Sequence, residues 1–149
     1  MTQPSRAWLE ATAVSDRLRH RAVADADAVL VCTSSGSPVL SVEHIKPGML
    51  VNSISTNVAR AHEIPTEALT QVNVYCDDRS TKPLIVVEML LASESGWSRD
   101  DIRGDFVELT CCKARAPSPD RASFFRSMGL GIEDVTIALE FHRVSSRAS

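Results

Sequence analysis

Three short polar clusters carry residue types able to bind and orient a ligand, and each closes an apolar run. Thr33-Ser34-Ser35 follows Ala28 to Cys32, Ser55-Thr56-Asn57 follows Met49 to Ile54, and Asp77-Asp78 follows Gln71 to Cys76. Hydroxyl and amide groups both donate and accept hydrogen bonds, whereas carboxylates accept them. Each run is short, wholly apolar or rich in β-formers, and bounded by turn residues, as suits a strand buried on both faces of a parallel sheet. In an open parallel sheet, ligands bind beyond the carboxyl ends of the strands. Three parallel strands would therefore project all three clusters from one edge. Without that shared edge, the clusters are ordinary polar exits from strands.

The remaining chemistry-bearing residues form no constellation. Cys32, Cys76, Cys111 and Cys112 make no C-x-x-C pair and have no paired histidine spacing, so no metal site is expected. Cys32 and Cys76 sit within apolar runs and read as buried, reduced thiols. Cys111 and Cys112, read as strand residues, would point to opposite faces. His62, beside Glu63, reads as a solvated loop histidine more readily than as a general acid. Ser127 alone reads as a turn or cap residue. Glu133 and Asp134 fall in the first turn of a helix, where negative charge offsets the helix dipole.

The chain has 149 residues, enough for one domain with a real core. Hydrophobic residues make up 44% and charged residues 23%, as in soluble globular proteins. The net charge of −3, without a basic run, argues against nucleic acid or an acidic membrane as partner. Leu84 to Ala92 is broken by Glu88 and falls far short of the ~20 residues of a membrane helix. The amino terminus lacks the basic-then-apolar signal pattern, so a cytoplasmic location is expected.

Around the three runs, residues 5–20 show a weak helical pattern. Lys46-Pro47-Gly48 marks a turn. Leu84 to Ser93 reads as a helix with Pro83 in its first turn, and Ser98 to Asp101 reads as another helix start. Phe106 to Cys112 fits either a short strand or a helix end, Lys113 to Asp120 a loop, and Ser123 to Ser127 a strand. After Gly129-Leu130-Gly131, Ile132, Val135 and Leu139 fall on one face of a final helix.

Read in order, these segments resemble the ornithine cyclodeaminase/mu-crystallin family. DAVLVCTSSGSPVLSVEHIKPGMLVNSIST is similar to its succession of strand, T-x-S, P-V-L, K-P-G turn and strand. ARAHEI resembles the stretch that ends in a Glu-hydrophobic pair, here Glu63-Ile64, and VYCDD resembles a strand ending in Asp-Asp. SFFRSMGLGIEDVTIA resembles the late F-x-S-x-G-x-x-x-E-D signature. Four motifs in order over residues 26–141 carry the resemblance.

The resemblance implies an α/β fold: a partial Rossmann-like parallel sheet with flanking helices, the second half of an NAD(P)-binding domain. Residues 1–25 would be a helical amino-terminal segment, 26–127 the partial Rossmann-like domain, and 128–149 a helix returning toward a substrate and dimer domain. The implied chemistry is hydride exchange between NAD or NADP and a small amino acid or imine, in a homodimer or other homo-oligomer. Thr33, Ile54, Ser55, Thr56, Asn57 and Ser127 match the family's cofactor-contacting positions, and Met128 lines the substrate pocket. Asn57 also takes the catalytic position.

The departures narrow that expectation. No G-x-G-x-x-G occurs in the chain, so the cradle for the cofactor phosphates is expected upstream, along with the substrate-binding Lys and Arg. A chain cut off there is expected to be inactive by itself. Asn57 stands where cyclodeaminases of the family carry Asp, and an amide cannot accept a proton at neutral pH. That disfavours ornithine cyclodeamination and favours a ketimine or pyrroline-carboxylate reductase-like activity. The alternative is a non-catalytic fragment of the NAD(P)-binding fold or a mu-crystallin-like binding protein.

Overall fold

The structure, a computed structural model, describes residues 17–33, 35–54 and 62–147. Its centre is a parallel four-stranded sheet of β1 (Ala28–Val31), β2 (Leu50–Ser53), β3 (Asn73–Cys76) and β4 (Ser123–Arg126). The spatial order is β1, β2, β4, β3, with every neighbouring pair parallel. The three apolar runs are thus parallel strands, as their composition predicts, and the Ser123 segment is the fourth. This is a partial Rossmann-like arrangement, a parallel sheet flanked by helices.

Alternation of side chains gives the sheet two unlike faces. On one face Val29, Val51, Phe124 and Val74 lie side by side, followed by Val31, Ser53, Arg126 and Cys76. This face is closed by Val23 of the helix over residues 17–23 (α1), a 3-10 turn at Thr66–Thr70, and the helix Val87–Ser93 (α2). Val51, Ile64, Leu69, Val74, Met89 and Phe124 form the centre of the resulting core. Burial of such side chains stabilises the fold by roughly 1.5–3 kcal/mol each before entropy is counted.

Among the described residues, the opposite face is covered only over β3 and β4. There the Phe106 ring of the helix Phe106–Thr110 (α3) lies 5.0 Å from Phe125, and the Tyr75 hydroxyl donates to the Arg115 carbonyl at 2.7 Å. Asp105 and Glu108 close α3 with a reciprocal capping box. The segment before α3 pairs with the outer edge of β3 through Gly104. A Cβ at Gly104 would collide with the Ala114 methyl group, so glycine is what permits this approach. Over β1 and β2 the same face presents Ala28, Leu30 and Leu50 to solvent.

Four local expectations are corrected. The helix expected over Leu84 to Ser93 begins at Val87, because the backbone leaves helical geometry at Ile85 and turns extended at Val86. Val86 takes extended backbone and buries its side chain, while Pro83 belongs to a separate 3-10 turn at Lys82–Leu84. Cys111 and Cys112 are not strand residues but end α3, both exposed, with Cys112 in the left-handed region at φ 55. Cys32 is exposed, because β1 ends at Val31 and the chain leaves the sheet there. The final helix (α4, Gly131–Arg147) is present, but its predicted apolar face buries no residue.

Candidate functional site

Because all four strands run the same way, their carboxyl ends share one edge, and the residues singled out in the sequence emerge there. Thr33 leaves β1 and is exposed. Ile54 follows β2, and its N–H donates to the Val31 carbonyl at 3.2 Å. Ser127 and Met128 follow β4, Ser127 buried and Met128 half-buried against the core. Ser34, Ser55, Thr56 and Asn57 lie outside the described residues. The catalytic expectation for Asn57 therefore falls outside the described residues.

Two buried carboxylates hold the emerging residues. Glu63 has no exposed surface. Its Oε1 accepts from both the N–H and the hydroxyl of Thr33, each at 2.7 Å, and its Oε2 accepts from the Ser53 hydroxyl at 2.6 Å. One carboxylate thus ties the end of β1 to the end of β2. Asp77 does the corresponding work between β3 and β4: its Oδ2 accepts from the Met128 N–H at 2.8 Å and from the Ser127 hydroxyl at 3.4 Å. Lys82 lies 3.5 Å from the same oxygen, also buried. Asp77 therefore points into the protein. Asp78 accepts from the Ser80 N–H and hydroxyl and from the Thr81 hydroxyl, fixing the turn after β3. These bonds hold the Asp78 carboxyl down at about 2.

Between the two carboxylates runs a fully buried ion pair. Arg126 Nε lies 2.7 Å from Glu88 Oε1. Arg126 Nη1 donates to the carbonyls of Ser53 and Ser127, which joins β2 to the exit of β4. Burial pushes the Glu88 carboxyl up; Arg126 and His62 draw it back, and Glu63 adds to the rise. His62, expected as a solvated loop histidine, is a half-buried loop residue beside the buried Glu63. Burial, reinforced by Asp77, pushes the neighbouring Cys76 thiol up to about 12.

Glu63, Glu88, Lys82 and Arg126 were missed as site residues by sequence reasoning. The available signal was a charged residue inside an apolar segment: Glu88 in VVEMLLA, Arg126 in SFFRS, Glu63 before Ile64. Charged side chains are seldom fully buried unless paired, so a charge in such a segment marks a network. A separate cavity of about 700 Å³ lies between α1 and residues 38–44 and contains none of the predicted residues. Among the described residues, no helix is long and apolar enough to cross a membrane.

The family model for the ornithine cyclodeaminase/mu-crystallin family matches residues 5–146. The chain belongs to that family. Among curated relatives, the NAD(P)H-dependent anabolic L-arginine dehydrogenase of Pseudomonas aeruginosa is 48% identical over 126 residues, which is 84% of this chain and 40% of the relative. Ketimine reductase mu-crystallin of Mus musculus is 26% identical over 119 residues, 80% of this chain and 36% of the relative. The chain thus spans about two fifths of the length of these relatives. Among solved structures, the fold is shared with Thermococcus litoralis Δ1-pyrroline-2-carboxylate reductase in complex with NADH and L-proline. That match has TM-score 0.73 and 20% identity and covers 87% of this chain and 41% of the other. Iminosuccinate reductase of Paracoccus denitrificans in complex with NAD+ gives TM-score 0.72 and 21% identity, covering 90% and 40%. The family thereby links this chain to NAD(P)-dependent oxidoreductases of amino acids and imines.

Proposed function

We propose that the chain supplies the nicotinamide side of the active site in an NAD(P)-dependent oxidoreductase of a small amino acid or its imine. The carrying observation is the strand edge, where the Thr33 hydroxyl and the Ser127–Met128 exit are each fixed by a buried carboxylate. Preorganised hydrogen-bonding groups on rigid strand ends hold a cofactor and a substrate at fixed distance, which is catalysis by positioning. When bound, the nicotinamide supplies the hydride. The residues fit that end of the cofactor: Thr33 is exposed, and its hydroxyl keeps an acceptor lone pair. They offer no G-x-G-x-x-G cradle for its phosphates.

In this reading Thr33, Ile54, Ser55, Thr56 and Ser127 hold the nicotinamide half, Asn57 orients the reacting carbon, and Met128 borders the substrate. Residues 26–127 form the cofactor-binding portion, and 128–149 lead toward the substrate and dimer contacts. The 48% identity to the arginine dehydrogenase supports an α-amino acid or its imine as substrate class. Asn57, an amide unable to take a proton, supports reduction or dehydrogenation over cyclodeamination.

The test is titration of the chain with NADH and NADPH, followed by nicotinamide fluorescence. Saturable binding, weakened about tenfold by Thr33→Val and by Ser127→Ala, is expected. A folded chain that binds neither dinucleotide overturns the reading. A second reading is a non-catalytic binding protein. It is supported if NADH binds but neither pyrroline-2-carboxylate nor the imine of arginine is reduced.

A further inference from the structure

We propose that Glu63 is a positioning residue that sets the polarity of the Thr33 hydroxyl, making Thr33 an acceptor toward the ligand; this rests on the cofactor reading above. A hydroxyl has one proton and two lone pairs. The Thr33 proton is committed to Glu63 Oε1 at 2.7 Å, and one lone pair receives the Ser35 N–H at 3.3 Å. One lone pair is left to face outward from the exposed end of β1. A partner must then bring an N–H or O–H, as the carboxamide and ribose of a nicotinamide nucleoside both do.

Glu63 is built for this task. Its three hydrogen bonds all come from donors, two from Thr33 and one from Ser53, so it serves as an acceptor throughout. The carboxylate cannot drift, because the Glu63 backbone carbonyl accepts from Val39 at 2.9 Å and from Leu40 at 3.3 Å. A strand-end threonine without such a partner would rotate its hydroxyl to suit any ligand. With Glu63 beneath it, Thr33 rejects a group that can only accept.

The experiment is a double-mutant cycle on NADH affinity, with thermal melting run in parallel. Glu63→Gln leaves a neutral amide with one acceptor oxygen for three donors. Glu63→Met removes both acceptors, and the Gln variant decides if the Met variant does not fold. Either variant is expected to weaken NADH binding about fivefold to tenfold. In the Thr33→Val background the same substitutions should leave affinity unchanged while still lowering the melting temperature. A purely structural role would lower the melting temperature without this background dependence. Folded Glu63 variants that bind NADH like the wild type overturn the proposal, as does a loss that persists undiminished with Thr33→Val. If the wild-type chain binds no NADH, the functional reading fails and this inference with it; if it binds and the cycle shows no coupling, this inference alone fails.

Discussion

At the scale of single residues, the structure separates side chains that look alike in the sequence. Four cysteines occur, but three are exposed and Cys76 is buried with its thiol pushed up to about 12. The thiolate is the reactive form. Cys32, Cys111 and Cys112 should therefore react with a disulfide reagent at pH 8 in the native chain, and Cys76 only after unfolding; four fast thiols would contradict the buried placement. Asp77 and Asp78 are likewise adjacent but unlike, one holding the exit of β4 and the other a turn. The Asp78 carboxyl is lowered from 3.8 to about 2. A depressed carboxylate contributes stability that is fully present above its unfolded value, here 3.8, and is lost as pH falls toward about 2. Asp78→Asn should accordingly lessen the loss of stability between pH 4 and pH 2 in denaturant titrations. An unchanged acid limb would mean that the turn does not depend on that charge. Pairing of strand and turn was legible in VYCDD; the inward turn of Asp77 was not, since it depends on Met128, far along the chain.

At the scale of elements, the strands were legible because each is a short apolar run with polar residues at its exit. Their spatial order was not. Nothing in the local pattern places β4 between β2 and β3, because that position is set by packing across the sheet. Arg126 ties β4 to β2 and to α2: its guanidinium reaches the carbonyls of Ser53 and Ser127 and pairs with Glu88 of α2. Both partners are almost wholly buried. Breaking such a pair leaves an uncompensated buried charge and costs about 3–5 kcal/mol, whereas replacing both partners by apolar groups is often far milder. Arg126→Met should lower unfolding free energy by that amount in urea titrations, and Glu88→Leu added to it should recover part of the loss. A double variant no more stable than Arg126→Met would show that the lost carbonyl contacts, not the unpaired charge, dominate. Helix α2 shows a second limit of sequence reading. Its apolar composition runs from Leu84 onward, but the backbone is extended at Val86 and the helix starts three residues into that run.

At the scale of the whole molecule, the described residues leave large apolar side chains exposed on the sheet and on α4. Leu30 is 63% exposed and Leu50 44%, on the same face of β1 and β2, where Leu50 is paired with Ala28 and Leu30 with Asn52. Among the described residues, no strand lies beside the outer edge of β1, whereas Gly104 guards the edge of β3. Helix α4 adds two apolar stripes. At 100° per residue, Ile132, Val135 and Leu139 lie on one side, and Ile137, Phe141 and Val144 on the other. A helix apolar on opposite sides is suited to a place between two layers. An open strand edge and an exposed apolar face both favour pairing with another chain. The chain is therefore expected to self-associate at micromolar concentration, with light scattering after size-exclusion chromatography reporting a mass above the 16.2 kDa of one chain. Leu30→Lys and Phe141→Glu should each lower that mass. The two test different surfaces: the first removes apolar area beside the open edge, and the second places a charge on α4. If Leu30→Lys alone restores a monomer, association runs through the sheet; if Phe141→Glu alone does, it runs through the helix. A monodisperse monomer that binds no hydrophobic dye would show that these surfaces are covered within the chain itself.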